Sequence, residues 1–293
     1  MAVSHTLEEH IADWSPEPEA FTARLDCASP AVLADILDSA SAPPSEGDAL
    51  PALWHWPYLS TRSGLIDLGE DGHPLRGALY PPIPRRRRMF VGGRLTVLRD
   101  LRVGWAATVE SSVIGREIKR GRSGEMLFAT VRRTYRQGDE ICQIEEQDIM
   151  YRSGDATRRP SGPIATPLGE GAPWSSRPRP TTTKLFAFSA ITANAHRIHY
   201  DLDYAQRVEG YPGLVVHGPL LILSMLELVR DNLGDRSVSS LSYRLENPVI
   251  CGDELLVEGE PRRDGVEDGV ELVMRSSRHD AVASATVGLR RSE

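Results

Sequence analysis

Apolar and polar residues alternate with a period of two in four successive stretches, Arg94–Leu98, Ala106–Ile118, Met126–Gln137 and Glu140–Tyr151. Such alternation predicts strands with one buried face. Breaks fall at Arg99-Asp100, at Gly121 and Gly124, and at Gly138-Asp139. The last is a hairpin signal, because glycine accepts the positive φ of a tight turn. Ahead of the strands, Val32, Leu33, Ile36 and Leu37 recur at helical spacing behind Ser29-Pro30, which reads as an N-cap and first-turn proline. Between that helix and the strands, Ser41–Arg88 is irregular and proline-rich. The same grammar then repeats. Thr182–Phe188 reads as a strand, and Asp201 is placed to cap a short helix reaching Gly210. Pro219–Leu233 is apolar nearly all round in its first two turns, as a buried helix is, and Gly234 suits its C-terminal stop. Strands are predicted at Ser239–Leu245, Glu254–Glu260, Val270–Arg275 and Ala281–Leu289. A buried helix wrapped by antiparallel strands, twice over, is an α+β arrangement with diverged copies. The duplication rests on element order, not on a residue-level repeat.

At 293 residues the chain is too long for most single cores. The Pro-, Gly- and Ser-dense stretch from Arg158 to Pro180 can neither continue a helix nor pair as a central strand. It divides the chain into an N-terminal unit, 1–157, a linker, 158–180, and a C-terminal unit, 181–293. A net charge of -7 argues against general nucleic-acid binding. No apolar run is long enough to span a membrane, and the first fourteen residues lack the basic-then-apolar pattern of a secretory signal. Three well-separated cysteines, Cys27, Cys142 and Cys251, do not make a disulfide framework. A cytoplasmic location is therefore expected.

Candidate chemistry concentrates between Phe188 and Gly218, where His196, His199 and His217 lie close in sequence. His196-x-x-His199 with Asp201 has a ligand-like spacing, but no cysteine pair or second motif accompanies it, and no metal is expected. General acid–base work suits histidine, whose pKa lies near neutrality, with Asn194, Thr192 and Tyr200 at hand to hold a water or fix a tautomer. No serine or cysteine nucleophile arrangement is evident. The bland alternative is a set of loop histidines bonded to backbone. His217-Gly218-Pro219 sits where a strand-like run meets a buried helix. Unpaired N–H groups and the helix dipole favour negative charge there, and glycine admits a close ligand. A thioester carbonyl would suit that seat; equally, Gly218 would serve a tight turn.

Taken together, Asn194-Ala195-His196-Arg197-Ile198-His199-Tyr200-Asp201, Tyr204-Ala205 and Glu209-Gly210-Tyr211-Pro212-Gly213-Leu214-Val215-Val216-His217-Gly218-Pro219-Leu220 resemble the MaoC-like, or hydratase 2, branch of the hot-dog fold. Within it they are similar to a group that includes mitochondrial type 2 hydroxyacyl-thioester dehydratases and bacterial mesaconyl-C4-CoA and itaconyl-CoA hydratases. Arg88-Met89-Phe90-x-Gly92-Gly93, Lys119-x-Gly121-x-Ser123-Gly124 and Glu145-Glu146-Gln147-Asp148-Ile149-x-Tyr151-Arg152 extend the resemblance into the first half. It implies a double hot-dog of two sheets side by side, each wrapping a central helix, with catalysis in the C-terminal copy. It implies an enoyl-thioester hydratase or dehydratase that needs no cofactor beyond the coenzyme A thioester of its substrate. His199 takes the place of the catalytic histidine and Asn194 that of the catalytic aspartate, a departure because an amide cannot exchange protons as a carboxylate does. Gly218 would polarise the thioester carbonyl, with His217, His196, Arg197 and Tyr200 around the substrate. The run Arg85–Arg88 reads as loop arginines, solvated or meeting phosphates. The sharper expectation is that Arg88 forks onto a free substrate carboxylate, as a short branched dicarboxylic acyl-CoA would offer. The alternatives are an ordinary 3-hydroxyacyl chain on CoA or acyl carrier protein, a hot-dog thioesterase, and a non-catalytic acyl-binding subunit. Pairing into a homodimer is left open.

Overall fold

The computed structural model describes residues 6–59, 64–121, 124–154, 168–169, 171–263 and 268–291. The N-terminal half contains α1 (Leu7–Ile11), β1 (Glu19–Arg24), α2 (Ala28–Leu37), β2 (Arg86–Val97), β3 (Ala106–Gly121), β4 (Gly124–Gln137) and β5 (Glu140–Ser153). The C-terminal half contains β6 (Trp174–Ser176), α3 (Thr182–Ile191), α4 (Gly218–Asn232), β7 (Arg236–Leu245), β8 (Leu255–Arg263), β9 (Asp268–Ser276) and β10 (His279–Arg291). No helix among the described residues is long and apolar enough to cross a membrane.

The strands form one ten-stranded sheet in the order β1-β3-β4-β5-β2-β7-β10-β9-β8-β6. Every neighbouring pair is antiparallel. The order is a palindrome: β3, β4, β5 and β2 lie on one side of the centre as β8, β9, β10 and β7 lie on the other. The duplication expected from element order is thus present in the topology. The fold is the expected α+β hot-dog kind, with the two sheets side by side. They fuse edge to edge through β2 and β7, with Gly92 opposite Arg244 and Gly93 opposite Tyr243. The glycine pair has a physical reason. A Cβ on Gly92 would lie 2.6 Å from the Tyr243 carbonyl oxygen, and one on Gly93 2.5 Å from both Glu146 O and the Tyr243 hydroxyl. A hydrophobic cluster runs through both halves, joining Leu33, Leu37 and Trp54 to Leu185, Phe188, Leu221 and Ile222.

The halves differ in their central helix. α4 runs fifteen residues and buries Leu220–Leu223 and Met225–Val229 against the sheet. The N-terminal half has α2, which packs on α3 and α4. Ahead of β2, where the C-terminal half places α4, lies instead a run of tight turns over 52–58. Leu53 there has φ +66°, a left-handed conformation that no α-helix continues through. The expectation of one central helix per half is corrected accordingly.

Three local expectations change as well. Thr182–Phe188 is helical, not a strand. Thr181 caps α3 by accepting from Lys184 N at 3.3 Å, and Leu185, Phe188 and Ser189 form its buried stripe. α2 begins at Ala28, with Asp26 rather than Ser29 accepting from Ala28 N at 2.8 Å and Ser29 N at 3.2 Å. Arg86–Arg88 are not loop residues but the first residues of β2, Arg88 lying opposite Tyr151. Residues 158–167 and 170 of the 158–180 linker lie outside the described residues, while β6 within it pairs with β8 at the sheet edge. Ser123 is likewise outside them.

Candidate active site

The site is built on the loop between α3 and α4. α3 ends where Thr192 Oγ1 donates back to Phe188 O at 2.6 Å and Ala193 turns left-handed at φ +51°. Asn194 follows, its Oδ1 accepting from His196 N at 3.2 Å, a local turn typical of asparagine. A 3-10 turn over Arg197–His199 then reverses the chain. Arg197 pins that turn. Its Nε and Nη2 reach Asp201 Oδ2 at 3.1 and 2.8 Å, and its guanidinium lies over the Tyr204 ring at 4.2 Å. Asp201 also caps the next turn, accepting from Tyr204 N at 3.0 Å. The returning strand-like segment closes on the same turn, with Val215 N donating to Ile198 O at 2.9 Å.

His199 is buried and fixed by one bond, Nδ1 to the Val215 carbonyl at 2.7 Å. A carbonyl only accepts, so Nδ1 carries the hydrogen and neutral His199 keeps its lone pair on Nε2. Burial disfavours its charged form and pushes its pKa down to about 4; the bond to Val215 offsets part of that. His217 stacks on His199 with ring centroids 3.6 Å apart and bonds Ser189 Oγ through Nε2 at 2.8 Å. It has no solvent exposure, and burial pushes its pKa far down. His196 meets His199 edge-on at 5.5 Å and is likewise driven far below the ordinary histidine range by burial. Three imidazoles in contact therefore stay neutral at pH 7.

A cavity of about 710 Å³ opens beside them. The C-terminal half lines it with Phe188, Asn194, His196, His199, Tyr200 and Gly218 at the start of α4. The N-terminal half lines it with Trp56, His73, Arg88, Arg133, Tyr135 and Gln147. Of the residues expected around a substrate, His199, Asn194, Gly218, His196, Tyr200 and Arg88 thus share one cavity. His217 sits behind His199, and Arg197 is turned to Asp201 and the backbone of Glu70, 3.1 Å away. Tyr200 donates to Ala195 O at 2.9 Å. A Cβ on Gly218 would overlap Leu245 Cδ1 and touch Phe90 Cδ1 at 3.6 Å, so any larger residue there must push the Leu245 side chain aside. Arg88 is the cation of the cavity with most to offer. Its Nε is buried without a hydrogen-bond partner, although the side chain also hydrogen-bonds Tyr151, and its charge acts on His73, His196 and Tyr151. Arg87, next to it, is paired with Glu209.

One group escaped sequence reasoning. The loop 69–76 of the N-terminal half docks on the loop that carries His196 and His199 and places Asp71 and His73 against His196. The only local signal was Asp-Gly-His inside a proline-rich stretch. The ligand-type atoms of Asp71, His73 and His196 lie within 4.8 Å of one another, whereas Asp201, once grouped with His196 and His199 by spacing, faces Arg197 instead.

The family model described as hydroxyacyl-thioester dehydratase type 2 matches residues 53–251. The mesaconyl-C(4)-CoA hydratase of Chloroflexus aurantiacus is 42% identical over 217 residues, 74% of this chain and 77% of that protein. The mitochondrial hydroxyacyl-thioester dehydratase type 2 of Schizosaccharomyces pombe is 26% identical over 232 residues, 70% of this chain and 75% of that one. Among solved structures, a MaoC-like dehydratase superposes with TM-score 0.71 at 14% identity, covering 98% of this chain and 100% of the other. HtdX of Mycobacterium tuberculosis superposes with TM-score 0.63 at 17% identity, covering 94% and 100%. The chain belongs to the hydroxyacyl-thioester dehydratase type 2 family of hydro-lyases.

Proposed function

We propose that this chain adds water across the double bond of a short, branched dicarboxylic enoyl-CoA of the mesaconyl-C4 kind, and removes it in reverse. The observation that carries the reading is the free Nε2 of His199 in a cavity it shares with the N-terminus of α4. Water is held between Asn194 and His199. His199 Nε2 takes a proton as the oxygen bonds to the β carbon. The π electrons move to the thioester oxygen, which the Gly218 N–H and the helix dipole stabilise. The proton then passes to the α carbon, so one imidazole serves first as base and then as acid. A proton-transfer group of this kind is worth about 10²–10⁴ in rate. Coenzyme A is part of the substrate, and no further cofactor enters the scheme. The volume of about 710 Å³ suits a small acyl group with part of its pantetheine arm.

The dicarboxylic class is favoured by the buried, unpartnered Nε of Arg88, a donor suited to a free carboxylate, and by the 42% identity to a mesaconyl-C(4)-CoA hydratase. The likeness to mitochondrial dehydratases supports a second reading, dehydration of a 3-hydroxyacyl thioester on CoA or a carrier protein. Loss of ultraviolet absorbance of the conjugated thioester, measured on mesaconyl-C4-CoA, itaconyl-CoA and crotonyl-CoA, separates the two. Preference for the carboxylate-bearing substrates is expected. Release of free thiol, or no turnover of any member, would defeat the proposal.

A further inference from the structure

The scheme above creates a positive charge on His199, and within the catalytic loop only the Val215 carbonyl offsets part of its cost. A buried imidazolium without a counter-charge is costly. Asn194 carries no charge, and His196 and His217 are neutral imidazoles whose presence makes matters worse. Among the other carboxylates lining the cavity, Glu209 is committed to Arg87, Glu19 accepts from Ala78 N at 3.2 Å and Glu246 from Ser284 at 3.2 Å. Asp71 is different, because it joins the imidazole cluster directly. Its Oδ2 meets His73 Nδ1 at 2.9 Å and its Oδ1 accepts from His73 N at 2.9 Å. The His73 ring lies 4.0 Å from that of His196, which in turn meets His199.

The position of this pair is built in. Gly72 between them has φ +86°, and a Cβ there would lie 2.6 Å from the Ala195 carbonyl carbon. Arg197 N donates to Asp71 O at 2.9 Å, and Gly69 N to His73 O at 2.8 Å. Asp71 stays ionised: burial alone would raise its pKa, but the hydrogen bond and charge of His73 bring it below the ordinary carboxylate value.

We propose that Asp71 and His73 are the carboxylate–imidazole pair of this active site, supplied by the N-terminal half, and that they stabilise the imidazolium formed when His199 takes the proton from water. The charge is that of Asp71; His73, an imidazole that by itself disfavours charge on His199, holds the carboxylate in place against His196, so both are positioning residues. No proton is consumed: it moves from water to His199 Nε2 and on to the α carbon, while Asp71 remains ionised. The charged and titratable groups facing the pair are Arg86 and Arg88 of β2, Tyr204, and His196 and His199, with His217 behind them. The two arginines oppose protonation of His73, which keeps Asp71 available to the charge that arises in the reaction. The inference rests on the hydration scheme and adds a requirement the scheme alone does not make.

The test uses Asp71→Asn, His73→Gln and the double variant in the full chain, on the enoyl-CoA that the unaltered protein hydrates. Each single variant is expected to lose about 10–100-fold in kcat, with KM within about threefold and the melting temperature near that of the parent. The double variant should be no worse than the poorer single, since the two act as a unit. The acid limb of the kcat profile should move to lower pH in Asp71→Asn, because His199 then holds its proton less well; a purely structural loop would leave that limb in place. An undiminished kcat, or a raised KM at constant kcat, overturns the proposal. So does activity that a chelator abolishes and added zinc restores, since Asp71, His73 and His196 would then be metal ligands. No turnover of any enoyl thioester by the parent chain overturns the inference together with the hydration reading, whereas a fully active His73→Gln overturns the inference alone.

Discussion

Replacing Gly72 by alanine tests whether the loop that carries Asp71 and His73 is held by the close approach of two backbones. The φ of +86° costs an alanine about 1–2 kcal/mol. The new Cβ would lie 2.6 Å from the carbonyl carbon of Ala195 and closer still to its oxygen. Backbone cannot swing aside as the end of a long side chain can, so the two segments must part by about an ångström, the scale on which close-packed contacts are lost. Parting breaks the bonds from Arg197 N to Asp71 O at 2.9 Å and from Arg197 Nη1 to Glu70 O at 3.1 Å. At about 0.5–1.5 kcal/mol each, these add about 1–3 kcal/mol to the strain. Keeping the loop docked would thus cost about 2–5 kcal/mol. Undocking relieves the clash without disturbing the sheet, so local opening is the expected response. The Arg197 amide should exchange at least about 30-fold faster, kcat should fall as far as in His73→Gln, and the melting temperature should drop by only a few degrees. An alanine variant with the parent's Arg197 protection and kcat would refute the reasoning.

His199→Ala should lose about 10²–10⁴ in kcat while unfolding as the parent does, measured by steady-state hydration and thermal denaturation. Arg88→Gln should raise KM for a carboxylate-bearing enoyl-CoA by about 10–100-fold and leave crotonyl-CoA unaffected, since one charged hydrogen bond is worth about 1.5–3 kcal/mol. Gly218→Ala should displace Leu245 and reduce kcat far more than stability, read by kinetics beside a melting curve. His199 has a pKa of about 4 when folded against about 6.5 unfolded, so the unfolded chain binds the proton first. Its contribution is complete above pH 6.5 and is lost as pH falls toward 4, by at most about 3 kcal/mol; the acid-side fall in melting temperature should be shallower in His199→Gln.

Eight of the ten strands were legible because one face of each is buried, and alternation is the direct mark of one-sided burial; the edge strands β1 and β6 bury no residue and were not read. α3 was misread through the same mark. Leu185-Phe186-Ala187-Phe188 alternates in bulk, yet Phe186 is 67% exposed while Leu185, Phe188 and Ser189 share a helical stripe. The start of β2 was invisible, since three arginines carry no apolar pattern and pair with β5 only through tertiary context. His196, His199 and Gly218 could be grouped because one short loop holds them. Asp71 and His73 could not, because the residues they meet lie more than a hundred positions along the chain and no local pattern records that approach. The fusion of the two sheets left no signal either: an edge that pairs with another edge reads like any half-buried strand.

The palindromic order of strands makes the site's dependence on both halves intelligible. A pair of equal hot-dogs would place a helix like α4 on each side of the centre, and the two would fill the space between them. Here the N-terminal half has the turns of 52–58 instead, and their Trp54, Trp56 and Tyr58 are buried. A polar knot holds Trp56 and the neighbouring His55. Glu145, fully enclosed, accepts from Trp56 Nε1 at 2.9 Å, Gln147 Nε2 at 2.6 Å and Tyr135 OH at 2.5 Å, and meets His55 Nε2 at 3.0 Å. Burial alone would raise the pKa of Glu145, but His55, Arg133 and Tyr135 bring it down to about 2. A buried ionic knot contributes little net stability compared with an apolar filling of the same volume. What it does here is hold an inner wall, Trp56, Tyr135 and Gln147, back from the N-terminus of α4. One half keeps its helix and offers the N–H groups of its first turn. The other has turns in place of the equivalent helix, leaves the cavity open, and returns Asp71 and His73 through the loop before β2. Neither half alone encloses the cavity, so the two units severed at the linker should regain activity only when recombined.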